Sequence, residues 1–193
     1  MVLSLKALSG PPKRVRIFVD GELVKEVSCS IVSPSDLHSL SEDGVFERLH
    51  ELEVKGGIRY ALSHLSRQAT HSKALEQALS RHCLGADTIA EVIAYCNERG
   101  WLDDTGWVER RSEIWQAQGK SPLAVKAFLR SKGVSADLHL DEQASLRALI
   151  QRRFPQLLLP DLSYSERIRI LRSLQRRGFS FSAVQQFLRD PGA

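Results

Sequence analysis

The chain has 193 residues, 42% hydrophobic and 26% charged, a balance ordinary for a folded soluble protein with enough material to bury a core. No apolar run approaches the ~20 residues that cross a bilayer, and Cys29, Cys83 and Cys96 form no CxxC pair, so neither a disulfide framework nor a zinc site is indicated. Net charge is +4 but uneven: from Lys120 onward 13 Lys and Arg stand against 6 Asp and Glu, whereas residues 1–119 hold 14 against 17.

Residues 1–13 read as a loose lead-in closed by Pro11-Pro12. They lack the apolar run and cleavage site of a signal peptide, so a cytoplasmic location is expected. KRVRIFVDGELVKEVSCSIV then predicts two strands. Val15, Ile17 and Val19 alternate with Arg14, Arg16 and Phe18, and Asp20-Gly21 supplies the two positive φ angles of a tight type I′ turn. An isolated hairpin is marginal, so this one is expected to pack on helices.

After Ser33-Pro34 the period becomes helical. A helix starting near Ser41 carries Val45, Leu49 and Leu52, and Gly56-Gly57 is expected to break it. Ile58, Leu62 and Leu65 begin another. Three helices then end on glycine: HSKALEQALSRHCLG at Gly85, SPLAVKAFLRSKG at Gly133 and SERIRILRSLQRRG at Gly178. Glycine just past a helix end takes the left-handed conformation that closes the last turn. The three lie about 45–50 residues apart, a period that belongs to helical arrays with three short helices per unit.

Thr88-Ile-Ala-Glu91 reads as a capping box, with Ile89, Val92, Ile93 and Cys96 on one face of a helix that ends at Arg99-Gly100. Asp103 or Asp104 caps the next, whose apolar residues include Trp107, Val108, Ile114 and Trp115. Adjacent carboxylates also raise acid–base catalysis, but that requires a carboxyl group whose pKa burial has raised. A helix start offers no such environment, so both are read as caps. No GxGxxG, GxxxxGK[ST], GxSxG or HExxH occurs, and the six histidines do not cluster with acids or cysteines. No catalytic residue, metal or cofactor is therefore expected.

The basic residues carry more information. Ile168, Leu171 and Leu174 predict a core stripe with Ile170 at its edge, which leaves Arg169, Arg172 and Arg176 on another face, joined by Arg177. In the middle unit Val125, Phe128 and Leu129 are expected to face inward. Lys126 and Arg130 then point outward, with Lys120 before them, Lys132 after them, and Arg152 and Arg153 further on. Few acids interrupt these positives, a pattern that suits an acidic partner, nucleic acid or protein.

Four stretches in order, YALSHLSRQATHSKALEQAL (60–79), NERGWLDDTGWVERR (97–111), GKSPLAVKAFLRSKGV (119–134) and LRSLQRRGFSFSAVQQFL (171–188), resemble the RecX family over about 58–189. The Gly-Trp-Leu-Asp-Asp junction and the Arg-Arg-Gly-Phe segment are the most specific. The resemblance implies a mostly α fold of tandem three-helix repeats in an elongated, curved array, here behind a small N-terminal β-hairpin. The expected segments are 1–57 (hairpin plus helix), 58–102, 103–142 and 143–193 (three repeats). It also implies a non-enzymatic, monomeric regulator in recombination, DNA repair and the SOS response. Such a protein lies in the groove of the RecA–DNA filament and lowers its ATPase and strand exchange, with weak direct binding to single- or double-stranded DNA. A DNA-binding helical protein, or a scaffold for acidic proteins, is the alternative.

Overall fold

The structure, a computed structural model, describes residues 3–10, 13–38, 40, 44–135, 139–159 and 162–190. The expected helix start at Ser41 lies outside them. They fall into two compact units divided between Asp103 and Asp104.

The first unit opens with strands β1 (Leu3–Leu8), β2 (Arg14–Val19) and β3 (Glu22–Ser28), antiparallel in the order β1-β2-β3. The expected hairpin is therefore two-thirds of a small sheet, and the lead-in supplies its third strand. Leu3 and Leu5 alternate with Ser4 and Lys6, and both leucines pack on the core, a period-two signal masked by the prolines that follow. Asp20 and Gly21 have φ of 52° and 84° between the paired residues Val19 and Glu22, as a type I′ turn requires. Val15, Ile17 and Val27 are buried on the inner face.

Against that face pack α1 (Pro34–His38), α2 (Val45–Leu65), α3 (Ser72–Ser80) and α4 (Ala86–Glu98). Their buried residues Leu37, Val45, Leu49, Leu75, Leu79, Val92 and Cys96 complete one core with the sheet. Gly56-Gly57 does not break α2, which runs through both. A Cβ on Gly56 would stand 2.1 Å from the Ile31 carbonyl oxygen, and one on Gly57 2.8 Å from Val92 Cγ2. The pair marks close approach rather than a stop.

Gly85 also departs from expectation. It is not past a helix end but precedes α4 as its N-cap, with φ −69° and ψ 160°. After α3 the left-handed conformation falls to Cys83, at φ 63°. Thr88 and Glu91 accordingly lie inside α4 and form no capping box. They face His50 of α2, whose Nδ1 is 3.3 Å from Thr88 Oγ1 and whose Nε2 is 3.0 Å from Glu91 Oε2.

The second unit holds α5 (Asp104–Ala117), α6 (Pro122–Ser131), α7 (Glu142–Arg153), α8 (Tyr164–Arg176) and α9 (Phe181–Arg189), with a 3₁₀ turn at Pro155–Leu158. Among the described residues no strand follows Ser28. Asp103 directly precedes the first residue of α5, and Asp104 is that residue. Gly133 and Gly178 do follow helix ends, at φ 68° and 87°. Each sits in a double closure: Val134 N–H donates to the Leu129 carbonyl and Gly133 to Arg130, and Phe179 donates to Leu174 and Gly178 to Gln175.

Gly133 ends α6, however, while Gly178 ends α8. The helix that resembles α6 is α9. Ser121–Arg130 and Ser180–Arg189 share S-x-x-A-V-x-x-F-L-R, and both serines cap by accepting the N–H of the alanine three residues on, at 3.2 and 3.1 Å. Gly119 and Gly178, both left-handed, end the preceding helices α5 and α8.

Candidate polyanion-binding surface

Two core clusters fix what the second unit leaves outside. One gathers Leu146, Leu149, Ile150, Ile170, Leu174, Val184 and Phe187 from α7, α8 and α9. Ile170 thus belongs to the core rather than its edge, and Ile168 and Leu171 are only half-buried. The other joins Val108 and Trp115 of α5 to Val125 and Leu129 of α6, with Val134 beyond. Phe128, expected inside, is 41% exposed. It lies beside buried Trp115, ring centroids 5.8 Å apart and nearly perpendicular.

With these apolar stripes turned inward, Lys120, Lys126, Arg130, Lys132, Arg152, Arg153, Arg169, Arg172, Arg176 and Arg177 are all exposed. None of them forms an ion pair among the described residues, whereas in the first unit Arg14–Glu26, Lys25–Glu53 and Arg48–Glu51 do. A lone exposed cation is ordinary, but ten without a matching acid leave a positive field uncancelled at short range.

The ten do not form one cluster. Lys120, Arg176 and Arg177 line a cavity of about 400 Å³ with Trp115 and Phe128, and no acidic side chain lines it. The Nζ atoms of Lys120 and Lys132 lie 5.9 and 5.7 Å from the Phe128 ring centre. Ser121 holds the two sides together: its buried hydroxyl donates to the Arg177 carbonyl at 2.6 Å while accepting from Ala124 N–H. A Cβ at Gly178 would stand 2.8 Å from that hydroxyl, so the end of α8 sits directly on the start of α6. Arg152 is exposed but structurally engaged, donating to the Gln118 carbonyl at the end of α5. Lys126, Arg130, Arg153, Arg169 and Arg172 are exposed outside the cavity.

The first unit has no such excess of positive charge: residues 1–103 hold 12 Lys and Arg against 14 Asp and Glu, and its strand arginines Arg14 and Arg16 both reach Glu26. The Arg14 guanidinium holds the Glu26 carboxyl below the usual carboxylate range. Among the described residues no group of three or more His, Cys, Asp and Glu is placed to hold a metal ion. No described helix is long and apolar enough to cross a membrane.

Fold and surface together define a helical-repeat protein: three-helix units behind a small antiparallel sheet. The family profile "RecX, third three-helix domain" matches residues 141–188, the span of α7, α8 and α9. The regulatory protein RecX of Bacillus subtilis (strain 168) is 28% identical over 184 residues, covering 89% of this chain and 70% of that one. RecX of Escherichia coli (strain K12) is 29% identical over 113 residues, covering 54% of this chain and 67% of its own. A crystal structure of regulatory protein RecX superposes with a TM-score of 0.58 over 97% of both chains at 17% identity, a likeness of fold. Along most of its length the chain is thus similar to RecX regulatory proteins, and its last three helices match that family's third three-helix domain.

Proposed function

We propose that this protein is a non-enzymatic regulator of homologous recombination and DNA repair that binds the RecA–DNA filament and lowers its ATPase and strand exchange. Similarity to RecX regulatory proteins supports the regulatory role. The observation that carries the contact is the segregation of charge: the second unit holds 15 Lys and Arg against 9 Asp and Glu, ten of those cations exposed and without ion-pair partners among the described residues, whereas in residues 1–103 acids outnumber cations 14 to 12. A nucleoprotein filament presents phosphates and acidic side chains, and such a surface meets both.

The test compares Arg169→Glu/Arg172→Glu/Arg176→Glu with Arg48→Glu/Lys55→Glu on RecA filaments at several salt concentrations. The triple change is expected to weaken binding strongly and flatten its salt dependence, because fewer ion contacts remain to be screened. The double change is expected to do much less. Equal losses, or normal binding by the triple variant, refute the assignment of the contact to this surface.

A further inference from the structure

The duplicated segment exposes an anomaly. In S-x-x-A-V-x-x-F-L-R, Phe128 of α6 and Phe187 of α9 hold the same register. Phe187 is 3% exposed, inside the α7–α8–α9 core, whereas Phe128 is 41% exposed. The core of α5 and α6 closes on Trp115, Val125 and Leu129, with Phe128 at its margin. One edge of its surroundings is Trp115; the rest is framed by Lys120 and Lys132 near the ring and by Arg176 and Arg177 across the cavity. An exposed ring with cations on several sides and no acid lining the space is the pairing that single-stranded nucleic acids use: a base stacks while its phosphates meet the charges.

We infer that Phe128, with Lys120, Lys132, Arg176 and Arg177, forms a stacking site for one base of a single-stranded nucleic acid. A cavity of about 400 Å³ is of small-molecule size, suited to one unstacked nucleotide. A duplex keeps its base faces within the stack and offers Phe128 nothing to stack on. An acidic peptide matches the charge but has no use for the ring. This inference rests on the proposed reading of the basic surface and assigns part of it to nucleic acid rather than to protein.

The test is fluorescence anisotropy on the full chain with two labelled 12-mers of equal phosphate count, oligo-dT and an abasic oligomer. The variants are Phe128→Leu, which keeps apolar volume without the ring, Phe128→Trp, Lys120→Gln/Lys132→Gln, and Phe46→Leu as an exposed-ring control, each checked by thermal melting. The wild type is expected to prefer oligo-dT. Phe128→Leu is expected to weaken oligo-dT binding roughly 5- to 100-fold, from the usual worth of one stacked base. Its abasic binding stays unchanged, Phe128→Trp restores the preference, and Phe46→Leu has no effect. Lys120→Gln/Lys132→Gln weakens both oligomers and lowers the salt slope by about 0.7 per lost contact. A wild type without preference for oligo-dT, or a Phe128→Leu variant that keeps it, overturns the inference. If Phe128→Leu weakens filament binding but neither oligomer, the ring touches protein: the inference fails and the proposed function stands. If oligo-dT binding depends on Phe128 in this way but the wild type binds no RecA filament, the inference stands and the filament reading fails.

Discussion

Lys25 Nζ and Glu53 Oε2 lie 2.6 Å apart and tie β3 to α2, with the Glu53 side chain only 1% exposed. The other Glu53 oxygen is buried with no hydrogen-bond partner. Removing one member of such a pair leaves a buried charge uncompensated, whereas removing both for apolar groups can be neutral. Lys25→Met is therefore expected to lower stability by roughly 3 kcal/mol in urea denaturation. Lys25→Met/Glu53→Leu should recover most of that loss. A double variant as unstable as the single one would show that the ion pair itself holds the sheet.

Gly56→Ala sets helix propensity against packing. In an open helix the change adds about 1 kcal/mol of stability. Here the new methyl meets the Ile31 carbonyl oxygen, which also accepts from Arg59. A loss above about 2 kcal/mol is expected, because overpacking against backbone has no cheap relief. Gly57→Ala clashes with a side-chain methyl, Val92 Cγ2, rather than with backbone, so its smaller loss should shrink further when Val92→Ala is added. A stabilised Gly56→Ala variant would refute the close approach.

Asp103→Ala/Asp104→Ala tests the junction before α5. Loss of an N-cap costs roughly 0.5–2 kcal/mol. Melting should move by that amount, with filament binding unchanged well below the transition. Abolished regulation at unchanged stability would instead give these carboxylates a functional role.

His82 gives stability a pH dependence. Its Nδ1 lies 2.9 Å from Ser30 Oγ and 3.3 Å from Ser28 Oγ, and Tyr60 packs on its ring at 4.5 Å. Burial, and then the charges of Arg14 and Arg81, lower its pKa. The folded chain therefore binds a proton less readily than the unfolded one, whose imidazole titrates near 6.5. Stability from this group is full above about pH 6.5 and falls as pH drops below it. Urea midpoints between pH 7.5 and 5 should show the advantage of wild type over His82→Asn narrowing as acid is added. Parallel curves would contradict this.

Helices, their order and the basic second half were legible because periodicity and charge are local properties of the chain. The failures share a cause: each glycine or aromatic had two local meanings that only distant residues resolve. Gly56-Gly57 spelled a break until the Ile31 turn and Val92 arrived beside them. Gly85 spelled a helix end, yet Cys83 took the left-handed role. Phe128 had the spacing of a core residue, but Trp115 and Leu129 already filled that core. The ten cations were readable as exposed, whereas the meeting of Lys120, Arg176 and Arg177 depends on a Ser121–Arg177 contact between residues 56 positions apart. The duplicated S-x-x-A-V-x-x-F-L-R was visible throughout and would have aligned α6 with α9.

The two glycines of α2 also bear on the order in which this protein folds. Each lowers intrinsic helix stability by about 1 kcal/mol relative to alanine, so residues 45–65 form a weak helix in isolation. What compensates comes from elsewhere: the Ile31 carbonyl against Gly56, Val92 against Gly57 and Lys25 against Glu53. The longest helix in the described chain is thus conditional on its neighbours. It should consolidate late, after the β2–β3 hairpin and the turn at Ile31 exist to receive it. A peptide of this segment alone should be largely unstructured, which makes the sheet the template on which the first unit assembles.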